Sequence, residues 1–365
     1  MAGNPFKFGS VVDGRFFTNR TSEIESVSAV LKSENHLVVI SPRRFGKTSL
    51  LMKVAGGLKR PFLYLDLQMV LSVQDLAAQL LKRLYRNYPF ERVRQLVRHF
   101  RIIPSISLNP VTSEVDITFH ASVSGSTVLE DVLNLMEKLS TRKRKLIVIL
   151  DEFQQVTSID KDLPAQLRAV MQHHKNINYV FLGSQESLIR EIFEKKKSPF
   201  YHFGVMFPLG KISEAEFKSF ISDGLGAFAE NPEKLAGGIL AVTDGHPYYT
   251  QQLAFHVWEI INRDKSAGDP LELALAYLSR THDMDYERLW NTLKKTDKKI
   301  LTGLSFSRHL PMSAAFCLEN QIESPSTVYS GLLRLSRQGY LIRVDDRYRI
   351  DDPFFVRWIV ERRIV

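Results

Sequence analysis

The sequence has little of what disulfide-linked, secreted or membrane-spanning proteins need. Cys317 is the single cysteine among 365 residues, which excludes an internal disulfide and a zinc site built from several cysteines. No uninterrupted apolar run approaches the roughly 20 residues of a membrane helix, and the start MAGNPFKFGS has no apolar secretory core. We therefore expect a cytoplasmic protein without a membrane partner.

The remaining composition is typical of an ordinary globular chain. Hydrophobic residues make up 44% and charged residues 24%, and 365 residues leave room for two or three domains. The net charge of +9 suits an acidic partner such as nucleic acid, although many basic surfaces bind nothing. Composition therefore indicates a class of protein but no activity.

A strand, a tight loop and a helix are predicted in succession between residues 37 and 58. The strand is the apolar run Leu37–Ile40, and the loop SPRRFGKT follows it directly. The loop fits the pattern GxxxxGK[ST] except at its first position, where Ser41 replaces glycine. Loop N–H groups and the positive end of the helix dipole would then face a phosphate.

This pattern predicts a role for each loop residue. Lys47 would reach the β- and γ-phosphates, Thr48 would bind Mg²⁺, and Gly46 would let the backbone approach the phosphate. The expected nucleotide contacts are Ser41, Pro42, Arg43, Arg44, Phe45, Gly46, Lys47, Thr48 and Ser49. A basic surface turn before a helix is the alternative, and the flanking strand and helix disfavour it.

Two further predicted strands end in polar residues. The run LIVIL ends at Asp151 and Glu152, and ligands of parallel sheets bind beyond the carboxyl ends of the strands. We expect Asp151 to hold Mg²⁺ and Glu152 to orient or activate the attacking water. The strand 178–182 is followed by Ser184 and Gln185, either of which could hydrogen-bond the γ-phosphate or water; alternatively, Ser184 caps the next helix.

The element pattern predicts three domains. Residues 1–210 are expected to form a P-loop core, an α/β domain with a parallel sheet flanked by helices. Within it, residues 73–100 are predicted to be helical, residues 102–123 to form an inserted β-ribbon joined near Asn109–Pro110, and residues 195–212 to form a connector. Residues 211–285 are predicted as a small helical lid domain, because the β-rich runs stop near Ser213.

Residues 286–365 are predicted as a winged helix-turn-helix domain, with three helices and a hairpin around Asp345–Asp346. Its third helix would enter the major groove of double-stranded DNA, so residues 324–349 are the candidate DNA contact. The candidate side chains are Ser326, Thr327, Tyr329, Ser330, Arg334 and Arg337 on the helix, with Arg343, Arg347 and Arg349 on the wing. Protein contact or autoinhibition is the open alternative.

Several stretches resemble the archaeal-type ATPase family, a branch of the STAND/AAA+-like P-loop NTPases. They are FFTNRTSEI with Phe17 and Arg20, the loop SPRRFGKTSLL, the strand LIVILDEFQ, the turn DGHPYYTQQL with His246 and Pro247, and the closing YRIDDPFFVRWI. The resemblance implies ATP or ADP and Mg²⁺ as ligands. It also implies that Phe17 and Arg20 lie near the adenine and that Gly245, His246 and Pro247 lie near the nucleotide.

One position departs from this family. Relatives often carry an arginine, a candidate finger, where Phe203 stands here, so hydrolysis would be slow or would use Arg168, Arg190 or a partner's arginine. We predict an ATP-binding switch with slow Mg²⁺-dependent hydrolysis by Glu152, Lys47 and Ser184, coupled to the winged helix. A DNA-binding regulator with a structural nucleotide and a scaffold that recruits a protein partner remain alternatives, and an oligomer remains open.

Overall fold

The computed structural model describes residues 3–18, 20–108, 115–120, 123–226, 228–264, 268–344 and 347–363. They form two compact units, Arg20–Gly210 on the one hand and Met1–Asn19 with Lys211–Val365 on the other. Each unit has its own hydrophobic core. None of the helices in these ranges is both long enough and apolar enough to cross a membrane.

The unit Arg20–Gly210 is built on a parallel sheet. The strands of this unit are β1 (Leu37–Ile40), β2 (Phe62–Asp66), β3 (Ser105–Leu108), β4 (Val115–Thr118), β5 (Leu146–Asp151), β6 (Ile177–Gly183) and β7 (Val205–Pro208). Five of them pair in parallel in the order β2-β5-β6-β1-β7. All residues of β1, β5 and β6 are buried, because helices cover both faces of such a sheet. The predicted fold class is confirmed.

Eight α-helices among the described residues surround this sheet. They are α1 (Thr21–Lys32), α2 (Lys47–Gly57), α3 (Val73–Asn87), α4 (Phe90–Val97), α5 (Gly125–Leu139), α6 (Val156–Ile159), α7 (Leu163–Met171) and α8 (Glu186–Glu194). Residues 73–100, predicted to be helical, are largely so, but they form two helices, since α3 ends at Asn87. Tyr88 is extended before Pro89, as the ring of a following proline requires, and α4 starts afterwards.

Two segments between the helices were predicted with different success. Strands β3 and β4 pair in an antiparallel ribbon, which confirms the predicted ribbon where it is described, while its junction near Asn109–Pro110 lies outside the described residues. The predicted connector 195–212 contains β7, an edge strand paired with β1. Two of its four residues are half-buried, the other two are exposed, and it ends in Pro208, so it carries no buried-strand signal.

The second unit is mainly helical. Its elements are α9 (Glu214–Leu225), α10 (Pro232–Thr243), α11 (Pro247–Arg263), α12 (Pro270–Thr281), α13 (Asp283–Thr292), α14 (Lys295–Phe306), α15 (Ala314–Glu319), α16 (Pro325–Arg337), β8 (Leu341–Val344), β9 (Arg347–Ile350) and α17 (Pro353–Arg363). Helices α14 to α16 and the antiparallel pair β8–β9 form the predicted winged helix. The predicted turn at Asp345–Asp346 lies outside the described residues.

The N-terminal residues fold with this second unit, although the sequence grouped them with residues 20–210. Asn4 donates a hydrogen bond to the Phe255 carbonyl at 3.1 Å, and the Phe6 ring packs edge-on against Phe220. Helix α13 spans the predicted boundary between residues 285 and 286, and one hydrophobic core contains residues from both sides of it. The division into core, lid and winged-helix domains stays a prediction.

Candidate functional site

The loop between β1 and α2 is bent so that its backbone can face a ligand. Arg44 and Gly46 have positive φ angles of 63° and 85°, the left-handed region that Gly46 adopts without a steric penalty. Gly46 is the N-cap of α2, and none of the described side chains caps the helix there. The first N–H groups of α2 have no acceptor within the helix, so the loop and helix start form a site for an anion.

Lys47 is buried beside this loop. Its ammonium donates hydrogen bonds to the carbonyls of Ser41 at 2.9 Å and Pro42 at 2.8 Å, and 7% of the residue is exposed. Burial lowers the pKa of Lys47 to about 8. The carboxylates of Glu152 and Asp151 oppose this shift, and the charge of Arg43 adds to it. Lys47 is thus a cation held in a weakly solvated place, where an added anion would stabilise its charge.

Thr48 and Asp151 meet at the carboxyl ends of the strands. The Thr48 hydroxyl donates to Asp151 Oδ2 at 3.1 Å, and the Tyr64 hydroxyl donates to the same oxygen at 2.7 Å. Burial, reinforced by the charge of Asp151, raises the pKa of Tyr64, so this phenol stays a donor. Sequence reasoning missed Tyr64, because a tyrosine inside an apolar strand gives no functional signal.

Glu152 is held by two neighbouring side chains. Its carboxylate oxygen Oε2 accepts hydrogen bonds from Ser184 Oγ at 2.8 Å and from Gln154 Nε2. Ser184 does not cap α8, whose N-cap is Gln185, so the capping alternative is excluded, and a contact of Ser184 with the γ-phosphate or water stays a prediction. Gln154 was missed as well. The left-handed backbone of Glu152 turns the chain back and brings the Gln154 side chain to the Glu152 carboxylate. The sequence signal for Gln154 was its position two residues after the predicted Glu152.

The residues present fit a phosphorylated ligand with Mg²⁺. The Ser41 hydroxyl and Gln154 Oε1 are buried without a hydrogen-bond partner among the described residues, which leaves polar capacity for a ligand. The structure brings together Thr48 and Asp151, the two residues predicted to bind magnesium, and no group of three or more acidic, His or Cys side chains that could hold a metal ion occurs in the described ranges. Mg²⁺ commonly takes one or two protein ligands and completes its shell with phosphate oxygens and water.

Arg20 stabilises the backbone of the phosphate loop through hydrogen bonds. This residue is 3% exposed, and its guanidinium donates to the Phe45 and Gly210 carbonyls at 3.1 Å each while pairing with Glu23 at 2.8 Å. These contacts fix the backbone at Phe45. The predicted position of Arg20 near an adenine stays a prediction.

A protein-family model supplies the identification. The model described as an ATPase domain predominantly from Archaea matches residues 17–253, more than half of the chain. The chain belongs to this archaeal ATPase family. A second model, a probable winged helix domain, matches residues 284–361. No curated protein matches the chain.

Solved structures agree with this archaeal ATPase fold. A Walker-type ATPase of Pyrococcus abyssi is 18% identical, with a TM-score of 0.67 over 94% of this chain and 96% of that one. The ORC2 protein of Aeropyrum pernix, solved with ADPNP and ADP, is 14% identical, with a TM-score of 0.54 over 95% of each chain. The ORC1 protein of the same organism, solved with DNA, is 13% identical, with a TM-score of 0.50 over 97% and 94%. At these identities the similarity concerns the fold.

Three predicted nucleotide contacts of this archaeal ATPase lie in the second unit: Phe17, His246 and Pro247. His246 is buried at the start of α11, where its Nδ1 accepts N–H bonds from Tyr248 and Tyr249, and its Nε2 lies 3.4 Å from Asp351 Oδ1. This residue therefore caps the first turn of α11. Its contact with a nucleotide stays a prediction.

Phe203, which stands where relatives often carry an arginine, lies far from the phosphate loop of its own chain. Phe203 precedes β7 and lies 4.5 Å from His36, which precedes β1, so it stands at the amino ends of the strands, opposite the phosphate loop. Burial, with added repulsion from Arg168, lowers the pKa of His36 to about 4, so this neighbour is uncharged at neutral pH. The Arg168 guanidinium stacks on Phe203 at 4.3 Å. Neither position can serve the loop of its own chain, because β1 alone spans roughly 13 Å.

The candidate DNA-contacting residues divide into exposed and engaged side chains. Ser326, Tyr329, Ser330 and Arg337 are exposed along one face of α16. Arg334 is instead bound to the buried Asp297 at 2.5 and 3.0 Å, and the hydroxyl of Thr327 contacts the capping Ser324. On the wing, Arg349 pairs with Asp244.

Proposed function

We propose that this chain binds ATP with Mg²⁺ on the loop 41–48 and hydrolyses it slowly, as a switch coupled to its winged helix. The observation that supports this proposal most is the meeting of Thr48 and Asp151 at 3.1 Å, with Glu152 next in sequence. A magnesium pair, a phosphate loop and a carboxylate that can receive a proton are the parts that phosphoryl transfer to water requires.

The proposed reaction uses these side chains in distinct ways. Lys47 and the loop N–H groups bind the β- and γ-phosphates, and Thr48 and Asp151 would hold Mg²⁺, which neutralises phosphate charge. Glu152 accepts a proton from water as the water oxygen bonds to the γ-phosphorus. The bond to the β,γ-bridging oxygen breaks with its electron pair on ADP, and the proton passes on to the phosphate released.

We infer slow turnover partly from the hydrogen bonds of Glu152. Its Oε2 accepts from both Ser184 and Gln154, so a water molecule has to approach Oε1 unless one of these donors moves away. A long-lived ATP state is what a switch needs, because the bound γ-phosphate can then bias a second conformation before it is lost. In the second unit, one hydrophobic core contains residues of both the predicted lid and the winged helix. This shared core favours the proposed coupling of the nucleotide state to the winged helix.

Replacement of Lys47 tests the binding site. Lys47→Ala removes the buried cation, and we expect ATP affinity to fall by about 100-fold or more in isothermal titration. Lys53→Ala is the matched control, since Lys53 is exposed on the same helix and should leave affinity unchanged. ATP affinity that survives Lys47→Ala would contradict the nucleotide site.

Replacement of Glu152 tests the chemistry separately. Glu152→Gln keeps the shape but cannot accept a proton, so we expect ATP affinity within threefold of the unaltered chain and a turnover lower by roughly 10²- to 10³-fold. Steady phosphate release by this variant would remove Glu152 from its proposed role.

DNA binding by the winged helix is the second candidate function. The exposed face of α16, with Tyr329, two serines and Arg337, favours it, as does the net charge of +9. The ORC1 protein of Aeropyrum pernix, which shares the fold, was solved in complex with DNA. Gel shifts with duplex DNA should show binding that weakens steeply from 50 to 200 mM salt and that Arg337→Ala reduces. No shift at 50 mM salt would exclude this function.

Recruitment of a protein partner is the third candidate. Three large apolar side chains near α15 are strongly exposed: Leu310 at 67%, Met312 at 51% and Leu318 at 83%. Exposed apolar residues close together in sequence favour a protein contact. Size-exclusion chromatography with ATP and with ADP should then separate two assembly states, whereas identical profiles would argue against nucleotide-controlled assembly.

A further inference from the structure

Arg43 occupies the part of the loop that faces the carboxylate pair. Its Nε donates to Ser184 Oγ at 3.5 Å, and that hydroxyl donates to Glu152 at 2.8 Å. On its other side, Arg43 follows Pro42, whose carbonyl accepts a hydrogen bond from the Lys47 ammonium at 2.8 Å. Arg43 thus lies between the residue proposed to bind the γ-phosphate and the residue proposed to take the proton from water.

Three other arginines of the unit are committed elsewhere. Arg20 is buried below the loop, and Arg168 stacks on Phe203 at the opposite end of the sheet. Arg190 follows the Ser184 turn, but its guanidinium is bound to Glu186 at 2.8 Å and Glu194 at 2.6 Å. Arg43, by contrast, forms no ion pair with any of the described residues and keeps its terminal nitrogens for a ligand.

We propose that Arg43 is a catalytic residue that stabilises the charge developing on the γ-phosphoryl oxygens from within the same chain. This inference rests on the proposed ATPase function and adds to it a donor that neither the pattern GxxxxGK[ST] nor Phe203 supplies. As the bond to the β,γ-bridging oxygen breaks, negative charge builds on the transferred group and on ADP. A guanidinium placed at this position binds the charge more strongly in the transition state than in ATP.

The bond from Arg43 to Ser184 gives this residue a second effect. Ser184 has one hydroxyl proton, which it donates to Glu152, so its oxygen can accept from Arg43. When the guanidinium moves onto a γ-phosphate, Ser184 loses its donor while Glu152 remains in place. Substrate binding and the rearrangement of the hydrogen bonds around Glu152 then occur together.

The test compares Arg43→Gln and Arg43→Lys with the unaltered full-length chain. Single-turnover hydrolysis of MgATP should be roughly 10²-fold slower or more in Arg43→Gln, while ATP affinity changes by less than about threefold. Arg43→Lys keeps the charge and should recover part of the rate. Arg168→Gln is the matched control, and its rate should equal that of the unaltered chain.

Two further readouts separate catalysis from structure. Aluminium fluoride should tighten MgADP binding to the unaltered chain, because the complex resembles the transition state, and Arg43→Gln should lose this gain. The single-turnover rate constant should be independent of protein concentration over a 100-fold range, since the arginine comes from the same chain.

Several outcomes would overturn the assignment. They are an unchanged rate in Arg43→Gln, an equal loss of rate and ATP affinity, a retained aluminium fluoride effect, or a rate constant that rises with protein concentration. The last result would point to an arginine from a second copy. An unaltered chain that binds MgATP without hydrolysing it would contradict the proposed ATPase function itself, and the two failures are therefore distinguishable.

Discussion

The charge of Lys47 responds strongly to its surroundings. Its folded pKa of about 8 is below the ordinary value of 10.5, because burial disfavours the charged form. Between these two pH values the unfolded chain binds more protons than the folded one, so the ligand-free protein gains stability as the pH rises from 8 towards 10.5. A bound phosphate has the opposite effect on Lys47, because its negative charge stabilises the protonated ammonium.

We therefore predict that ATP affinity falls with rising pH above 8. If the neutral amine does not bind phosphate, the dissociation constant rises by up to tenfold per pH unit. Titration calorimetry at pH 7, 8, 9 and 9.5 measures this dependence. Lys47→Arg retains a positive charge at all these values and should flatten it. An unaltered chain with constant affinity up to pH 9.5 would contradict the prediction.

The residues that could be predicted here are those with a local pattern. Lys47, Thr48, Asp151 and Glu152 each follow an apolar run at a fixed spacing, and the structure places them together. Tyr64 and Gln154 were not predicted, because their roles depend on strands and turns that are remote in sequence. Phe203 shows the converse, since a position aligned with a family arginine turned out to lie at the other end of the sheet.

At the scale of elements, the buried strands were predictable and the exposed ones were not. Strands β5 and β6 are unbroken apolar runs, whereas β7 has half-buried residues and is recognisable only through its pairing with β1. The break within the helical region 73–100 was missed for a different reason. The apolar spacing continues across Pro89, but a proline at that position forces the preceding residue out of the helical conformation.

The ion pair between α14 and α16 gives a prediction at this scale. Asp297 is 2% exposed and is neutralised by Arg334 alone among the described ion pairs, at 2.5 Å. Arg334→Ala leaves a buried carboxylate without its cation, so we expect the free energy of unfolding to fall by about 3 kcal/mol. Urea unfolding followed by tryptophan fluorescence measures the loss.

A double variant separates the pair from the packing. Asp297→Leu combined with Arg334→Leu removes both charges and should recover most of the stability, because no buried charge remains. Arg337→Ala, on the exposed face of the same helix, is the control and should cost less than about 0.5 kcal/mol. If Arg334→Ala costs no more than Arg337→Ala, the pair does not hold these helices together.

For the whole molecule, the two cores predict two unfolding transitions. MgATP at 100 times its dissociation constant should stabilise the unit that contains the phosphate loop by about 2.7 kcal/mol. Differential scanning calorimetry with and without MgATP should therefore move the transition of Arg20–Gly210 upward, and Lys47→Ala should abolish the shift.

Phe6→Ala should shift the unfolding transition of the second unit. Phe6 is 2% exposed and packs within the core of the second unit, so its loss should cost about 3 kcal/mol there and leave the nucleotide-dependent transition in place. A single transition that both variants shift equally would mean that the two cores unfold together.

The grouping of residues 3–18 with residues beyond 211 also has a consequence in time. During synthesis the partners of Asn4 and Phe6 on α9 and α11 emerge more than 200 residues later. At about 5–20 residues per second this delay amounts to roughly 10–50 s. The unit Arg20–Gly210 is continuous in sequence and can fold within that interval, while residues 3–18 still lack the surface they pack against.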